Sequence, residues 1–359
     1  MPDHAQWAAE ALVDLYPFPP NLSGKGECIG ILAFGGRASA SDFAHFFEQQ
    51  RATVPHLQLE TVCSPPSSKQ NSQHDLETAL DVQLAGTLAP GARIVVYQAT
   101  NDEKGWLEAC YRAIHDAENR PSVLSISWGA TEERWRPDTM ETLNEMFEEA
   151  ANLGITVCAA SGDAGCAIDI DGHCRVSFPA SSPFVLACGG TSRADGYNEI
   201  VWNVRNSAAS GGGISDRISR PSWQPPLSDV LTPPIPQRQN PAFDGRQLPD
   251  VAALASYSYS VYVGGIYRNS AGGTSAAAPL WSAFIARLNE GLRERGLPPI
   301  GHFHPRLYRD RSIQQSFRSI VRGHNDPFGR NGYQARPGWN FCSGWGTPIG
   351  NRLLEALCS

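Results

Sequence analysis

No stretch of this sequence approaches the ~20 consecutive apolar residues a helix needs to cross a bilayer, which argues against a helical membrane protein. Clustered lysine and arginine are also missing. The balance is acidic, 29 Lys+Arg against 36 Asp+Glu for a formal charge of −7, so phosphate neutralisation is not how this chain finds a partner, and no nucleic acid is expected. Charged residues make up only 18% and hydrophobic residues 41%, which excludes disorder as a description of the whole chain. No paired CxxC or Cys/His knuckle is present, so a zinc site has little support. There is no internal repeat and no low-complexity tract. The N-terminus, MPDHAQWAAEALVDLYPF, has no basic segment followed by an apolar run and does not read as a signal peptide. The protein is expected in the cytoplasm unless the chain lacks an upstream targeting portion.

Glycine (34) and proline (27) are plentiful and point to tight turns and long ordered loops rather than a helical bundle. Cysteine is odd in number, nine, so at least one thiol has no partner within the chain. Cys28, Cys158 and Cys188 sit inside apolar runs and read as small buried hydrophobes. Cys166 and Cys174 flank a short polar loop, where a local disulfide and two free thiols both remain open.

Short continuous apolar runs alternate with amphipathic segments. Cys28–Phe34, Ile94–Gln98, Val123–Ser127, Ile155–Ala160 and Phe184–Cys188 predict strands of a parallel sheet buried on both faces. Helical spacing marks Leu76–Leu88, with Leu76, Leu80, Leu84 and Leu88 four apart. It also marks Trp106–Ala117 and Met140–Leu153, the last stopped by Gly154. This order predicts an α/β fold with right-handed crossovers. The proline-rich span 207–248 reads as an ordered excursion, because a strand-like run, Tyr257–Tyr267, and a strong helix start follow it. One large domain over 1–359 is the economical reading.

The chemistry begins at Gly272-Gly273-Thr274-Ser275-Ala276. A serine at a helix N-terminus lies among free N–H groups, which suits a nucleophile whose neighbouring N–H holds an oxyanion. Capping by Ser275 or Thr274 is the commoner role of such residues, and the spacing alone favours it. Glu77 and Asp81 are four apart and share one helix face. A solvated acidic face is the ordinary reading of such a pair, but the apolar flanks Leu76, Ala79, Leu80, Val82 and Leu84 predict partial burial. Asp163 lies in AASGDAG, just past an expected parallel strand, where α/β sites are built and where an Asx-turn is also common. His74 is the one histidine near acidic residues in a helical pattern. A nucleotide site at the glycines of 24–36 lacks a proper GxGxxG.

GGTSAAAP, the Glu77/Asp81 pair with AGTLAPGA, SISWGA, AASGDAG, FPASSPFVLACGGT and PGWNFCSGWGTPIG resemble, in order and over residues 10–357, the sedolisin family of serine-carboxyl peptidases, nearest its kumamolisin branch. The resemblance implies a subtilisin-like three-layer α/β fold, its mostly parallel central sheet covered by helices on both faces. It implies Ser275 as nucleophile in the GTS motif completed by Gly273 and Thr274, Glu77 as general base, and Asp81 as the carboxylate orienting that base. Asp163 would help form the oxyanion hole, with Trp128 beside the carboxylates. It further implies an endopeptidase acting in acid on protein or peptide substrates through an acyl-enzyme, as a monomer. Such a protein is extracellular and is made with an N-terminal prosegment that this chain lacks. The chemistry is coherent. Glutamate, with a reference pKa of about 4.3, still accepts a proton where histidine, at about 6.5, cannot. A carboxylic acid at Asp163 donates to an oxyanion only while protonated, and Glu77 and Asp81 share a proton as a pair.

The sequence departs from the family at several points. The family's calcium site uses two aspartates, where this chain has Ser319 and Asn340. Around them stand Ile320, Arg336 (for a glycine) and Gly338. Calcium favours anionic oxygens, so no calcium and no other cofactor is expected, with hydrogen bonds or the Arg336 charge replacing the ion, unless Asp326 substitutes from nearby. Ala33 replaces a glutamate that extends the carboxylate network. Ser177 replaces an aspartate, so no strong Arg/Lys preference before the scissile bond is expected. The rival readings are an impaired member acting as a binding or scaffold protein, an ordinary serine peptidase with His74 as base, and a nucleotide-binding protein.

Overall fold

The computed structural model describes residues 12, 15–17, 19, 21–50, 52–62, 72–166, 173–194, 198–230, 236–256, 259–329 and 331–359. Its centre is a parallel sheet. In chain order the strands are β1 (Cys28–Phe34), β2 (His56–Thr61), β3 (Arg93–Ala99), β4 (Val123–Ile126), β5 (Thr156–Ala160), β6 (Val185–Arg193) and β8 (Val251–Leu254). Their order across the sheet is β8-β6-β5-β4-β1-β3-β2, and β7 (Glu199–Val201) pairs antiparallel with β6. Every residue of β1, β4 and β5 is buried, because helices cover both faces.

Side chains alternate between two cores. Ile29, Ile31, Ala33, Ile94, Val96, Cys158, Leu186 and Val251 face the helices α1 (Ala40–Gln49), α2 (Ser72–Leu88) and α5 (Thr274–Glu294). Leu32, Phe34, Val95, Tyr97, Leu124, Ile126, Val157 and Ala159 face α3 (Glu103–Ile114) and α4 (Pro137–Asn152). Strand period two thus builds two separate hydrophobic layers from one sheet. α5 is buried almost all round from Thr274 to Leu292, as a helix inside a large core must be. A C-terminal helix, α6 (Gly350–Cys358), packs on it.

Several expectations need correction. The run Tyr257–Tyr267 is not one strand: its described part is a hairpin, β9 (Tyr259–Val263) and β10 (Ile266–Ala271), turned at Gly264-Gly265, both at positive φ. The edge strand β2 escaped the sequence reading because it is half-exposed and carries no continuous apolar run. β8 escaped it because its VAAL core is short. Helix α3 ends at Ile114, not Ala117, where Asp116 accepts the N–H groups of Glu118 and Asn119. Cys166 and Cys174 are buried free thiols. Asp250, not singled out from sequence, is fully buried at the start of β8. It accepts from the Ala187 N–H (2.8 Å), the Arg246 guanidinium (2.6 Å) and the Tyr308 hydroxyl (2.7 Å), and against the cost of burial the Arg246 charge, with His304 3.2 Å away, holds its carboxyl well below the usual range. It sits at the amino ends of the parallel strands and so belongs to the framework.

Candidate active site

In an open parallel sheet a ligand crevice forms at the carboxyl ends of the strands where the winding reverses. Here the chain passes from β1 to the edge strand β2, returns through β3, and then crosses to β4, β5 and β6 on the other side of β1. The crevice therefore lies over the ends of β1 and β4, and the singled-out residues meet there. Ser127 and Trp128 follow β4. Ser161, Gly162 and Asp163 follow β5. Glu77 and Asp81 come from α2, and Ser275 from the first turn of α5.

Gly273 is the residue before α5, with φ 94° and ψ 177°, a conformation open in practice only to glycine. A Cβ there would stand 2.4 Å from Asp163 Oδ2. Gly273, not a serine or threonine side chain, occupies the cap, so the capping reading of Ser275 and Thr274 fails. Thr274 instead reaches sideways: its N–H and its hydroxyl both donate to Asp163 Oδ1, each at 2.8 Å, and its hydroxyl accepts from the Gly162 N–H at 3.1 Å. Ser275 is the second helical residue, where a main-chain N–H has no intrahelical acceptor.

Asp81 is fully buried, and its Oδ1 accepts from the Ser127 hydroxyl at 2.6 Å. Glu77 lies one turn earlier on the same face. Glu77 Oε1 and Asp81 Oδ2 have no hydrogen-bond partner among the described residues. Burial raises the proton affinity of both carboxyls. The Ser275 hydroxyl opposes the rise at Glu77 and the Asp163 charge adds to it. At Asp81 the Glu77 charge adds to burial and the Ser127 hydroxyl opposes it. Two like carboxylates this close cannot both ionise cheaply, so they titrate as a pair. Burial also raises the Asp163 carboxyl, against the two Thr274 donors. Since Oδ1 already accepts twice, Oδ2, the oxygen beside Gly273, is the one open to a proton.

Trp128 crosses to the other face. Its ring meets Phe34 edge-on at 6.1 Å and His74 edge-on at 4.9 Å. His74 thus packs against an indole. Ala33 is fully buried on the α2/α5 face of β1. Ser177 lies against Gly162, whose Cβ would come within 2.6 Å of the Ser177 hydroxyl. The residue that sequence reasoning passed over is Ser127. Its signal was present: it is two positions beyond Ser125 in the alternation of β4, which points it toward α2 and α5.

The suspected metal loop is stitched by protein groups. The Asn340 amide NH₂ donates to the carbonyls of Ile320 (3.2 Å) and Arg336 (3.0 Å). Its Oδ1 accepts from the N–H groups of Cys342 and Ser343 and from the Ser343 hydroxyl, at 3.0–3.1 Å. Ser319 Oγ accepts from the Gly338 N–H at 3.0 Å. Asp326 caps its own loop through Phe328 and Gly332. The carbonyls thus face a hydrogen-bond donor where a cation would need an anion, and among the described residues no three His, Cys, Asp or Glu form a metal-binding group. These residues do not fit a divalent cation.

Comparison with known proteins agrees with this geometry. The subtilase family profile matches residues 67–346. Kumamolisin of Bacillus sp. (strain MN-32) is 41% identical over 355 residues, 95% of this chain and 62% of that protein. Tripeptidyl-peptidase 1 of Canis lupus familiaris is 31% identical over 338 residues, 89% of this chain and 58% of that protein. The chain spans about three fifths of the length of these relatives. A solved Pseudomonas sedolisin, a serine-carboxyl proteinase, superposes with a TM-score of 0.82 at 26% identity, covering 98% of this chain and 97% of its own. With a subtilisin-like parallel sheet, a serine opening the buried helix and a carboxylate pair beside it, the chain belongs to the subtilase family, in its sedolisin group, alongside kumamolisin.

Proposed function

We propose that this chain is an acid-acting serine-carboxyl endopeptidase that cleaves peptide bonds through an acyl-enzyme on Ser275. The observation that carries the reading is the convergence of Ser275, the buried Glu77/Asp81 pair and Asp163 at one strand-end crevice. Ser275 Oγ attacks the scissile carbonyl carbon while Glu77 takes its proton. Asp81 orients Glu77 and shares the proton. The oxyanion is held by the Ser275 N–H and by the protonated Oδ2 of Asp163. Glu77 then returns the proton to the leaving amine, and water repeats the sequence in reverse to free the acid product. The raised Asp163 carboxyl supports action in acid, where it keeps its proton; burial of Glu77 works the other way, so the group that accepts the Ser275 proton is the Glu77/Asp81 pair carrying one shared proton.

The chain works as one catalytic domain, a monomer acting on protein or peptide substrates. Ser177 offers no carboxylate to a basic substrate residue, so Arg or Lys before the scissile bond is not strongly preferred. It holds no calcium, because the Asn340 amide occupies the carbonyls that a cation would need. The test is hydrolysis of an acid-denatured protein at roughly pH 3–5, near the glutamate reference value. Wild type is expected to cleave it, and Ser275→Ala to lose at least ~10³-fold in rate, as removal of a nucleophile does. Equal rates would overturn the assignment.

A further inference from the structure

Ser127 makes contacts that no role above uses. Its single hydroxyl proton faces two acceptors, Asp81 Oδ1 at 2.6 Å and the main-chain carbonyl of Ser275 at 3.0 Å. In return, the Ser275 hydroxyl lies 3.3 Å from the Ser127 carbonyl and donates to it. The Ser275 carbonyl is open to Ser127 for a reason written in the sequence. In an α-helix it would accept from the N–H four residues on, and that residue is Pro279, which has none. The spacing Ser-Ala-Ala-Ala-Pro thus leaves the nucleophile's own carbonyl for a side chain to fill. Beside it, Ala33 supplies no polar atom to Asp81, and among the described residues it is the Ser127 hydroxyl that donates to that carboxyl.

We propose that Ser127 is a positioning residue that couples the ionisation of Asp81 to the first turn of the nucleophile's helix. The proposal rests on the peptidase reading. One O–H cannot serve both acceptors fully. With Asp81 ionised, the proton lies toward Oδ1, the stronger, charged acceptor. With Asp81 protonated, it swings to the Ser275 carbonyl and closes the gap left by Pro279. The groups around Asp81 limit what else can set its titration. Glu77 and Asp163 carry the charges that act on the pair, and His74 lies further up α2 on the same face. β1 presents Ala33, β4 presents Ser125 and Ser127, and α5 presents Ser275. α1 packs on α2 through Phe43, Phe46 and Phe47, and β9 meets α2 through Gln83, which bonds the Tyr262 main chain.

The experiment is the pH dependence of kcat/KM on one peptide substrate for wild type, Ser127→Ala, Ser127→Thr and Pro279→Ala. Removing the hydroxyl withdraws a donor from the ionised pair, so in Ser127→Ala the acid limb moves up by about one pH unit, the scale of one hydrogen bond to a charge, with KM within about twofold. Ser127→Thr restores the wild-type limb. Pro279→Ala supplies the missing N–H to the Ser275 carbonyl, leaves Ser127 to Asp81 alone, and moves the limb down by a few tenths of a unit. Should Ser127→Ala unfold, the midpoint of thermal unfolding against pH for Ser127→Thr and Pro279→Ala carries the same test, Pro279→Ala shifting and Ser127→Thr matching wild type. A wild type active in acid, with superimposable profiles for all four proteins, overturns the coupling while leaving the peptidase reading intact. A wild type with no peptidase activity overturns that reading instead.

Discussion

Gly273 shows how much of this site one residue controls. Its φ of 94° admits no side chain without strain, and the space a Cβ would fill belongs to Asp163 Oδ2. That oxygen is the one assigned to carry the proton for the oxyanion. Gly273→Ala should therefore displace Asp163, break its two bonds from Thr274, and cut kcat by about 10²-fold, the usual effect of losing one oxyanion donor. The strain should also cost ~1–3 kcal/mol of stability. Parallel measurement of kcat and of the urea unfolding midpoint checks both. A variant matching wild type in each would show that the glycine and Asp163 do not constrain one another. The same scale explains why Ser127 was hard to find from sequence. A serine hydroxyl carries no period and no charge, and its importance comes from two acceptors on helices 46 and 148 residues away in sequence.

Elements were legible where burial is complete. β1, β3, β4, β5 and β6 are apolar runs because helices cover both faces, α2 announces itself by leucines four apart, and α4 by apolar residues three and four apart. The half-exposed edge β2 and the four-residue β8 were not legible, since β2 alternates over only two leucines and β8 is too short to stand out from a loop. The loop around 319–340 was read from what it lacks, two carboxylates. What the sequence could not reveal was which group fills the gap. Arg336 contributes only its main-chain carbonyl to Asn340, and the replacement is the Asn340 amide, with five hydrogen bonds to its two ends. Two outcomes follow for this loop. On the proposal that no ion is bound, a chelator is expected to leave the melting temperature within about 1 °C of the untreated protein. Asn340→Asp, which can no longer donate to the Ile320 and Arg336 carbonyls, costs ~2–4 kcal/mol, the penalty of two buried groups left unpaired. Thermal unfolding with and without chelator decides the first. A chelator-induced fall of several degrees would contradict it.

The whole molecule places three carboxyls with raised proton affinity in one crevice and puts Asp250, a fully buried carboxyl with depressed affinity, at the opposite end of the sheet. The sign of the pH response follows. Groups whose folded-state proton affinity is raised favour the fold while protonated and oppose it as pH rises through their folded values. The depressed group favours the fold above its unfolded value, and that contribution is lost only as pH falls through its folded value. The site is thus set for acid while the frame resists it. The central claim is that a carboxylate, not an imidazole, accepts the proton of Ser275, and it is tested most directly by the pH profile of kcat/KM for wild type, Glu77→Gln and His74→Ala. The account predicts activity in acid that disappears in Glu77→Gln, by about 10³-fold or more, and survives in His74→Ala. Activity rising through about pH 7 toward 8, above the histidine reference value, retained by Glu77→Gln and abolished by His74→Ala, would contradict it.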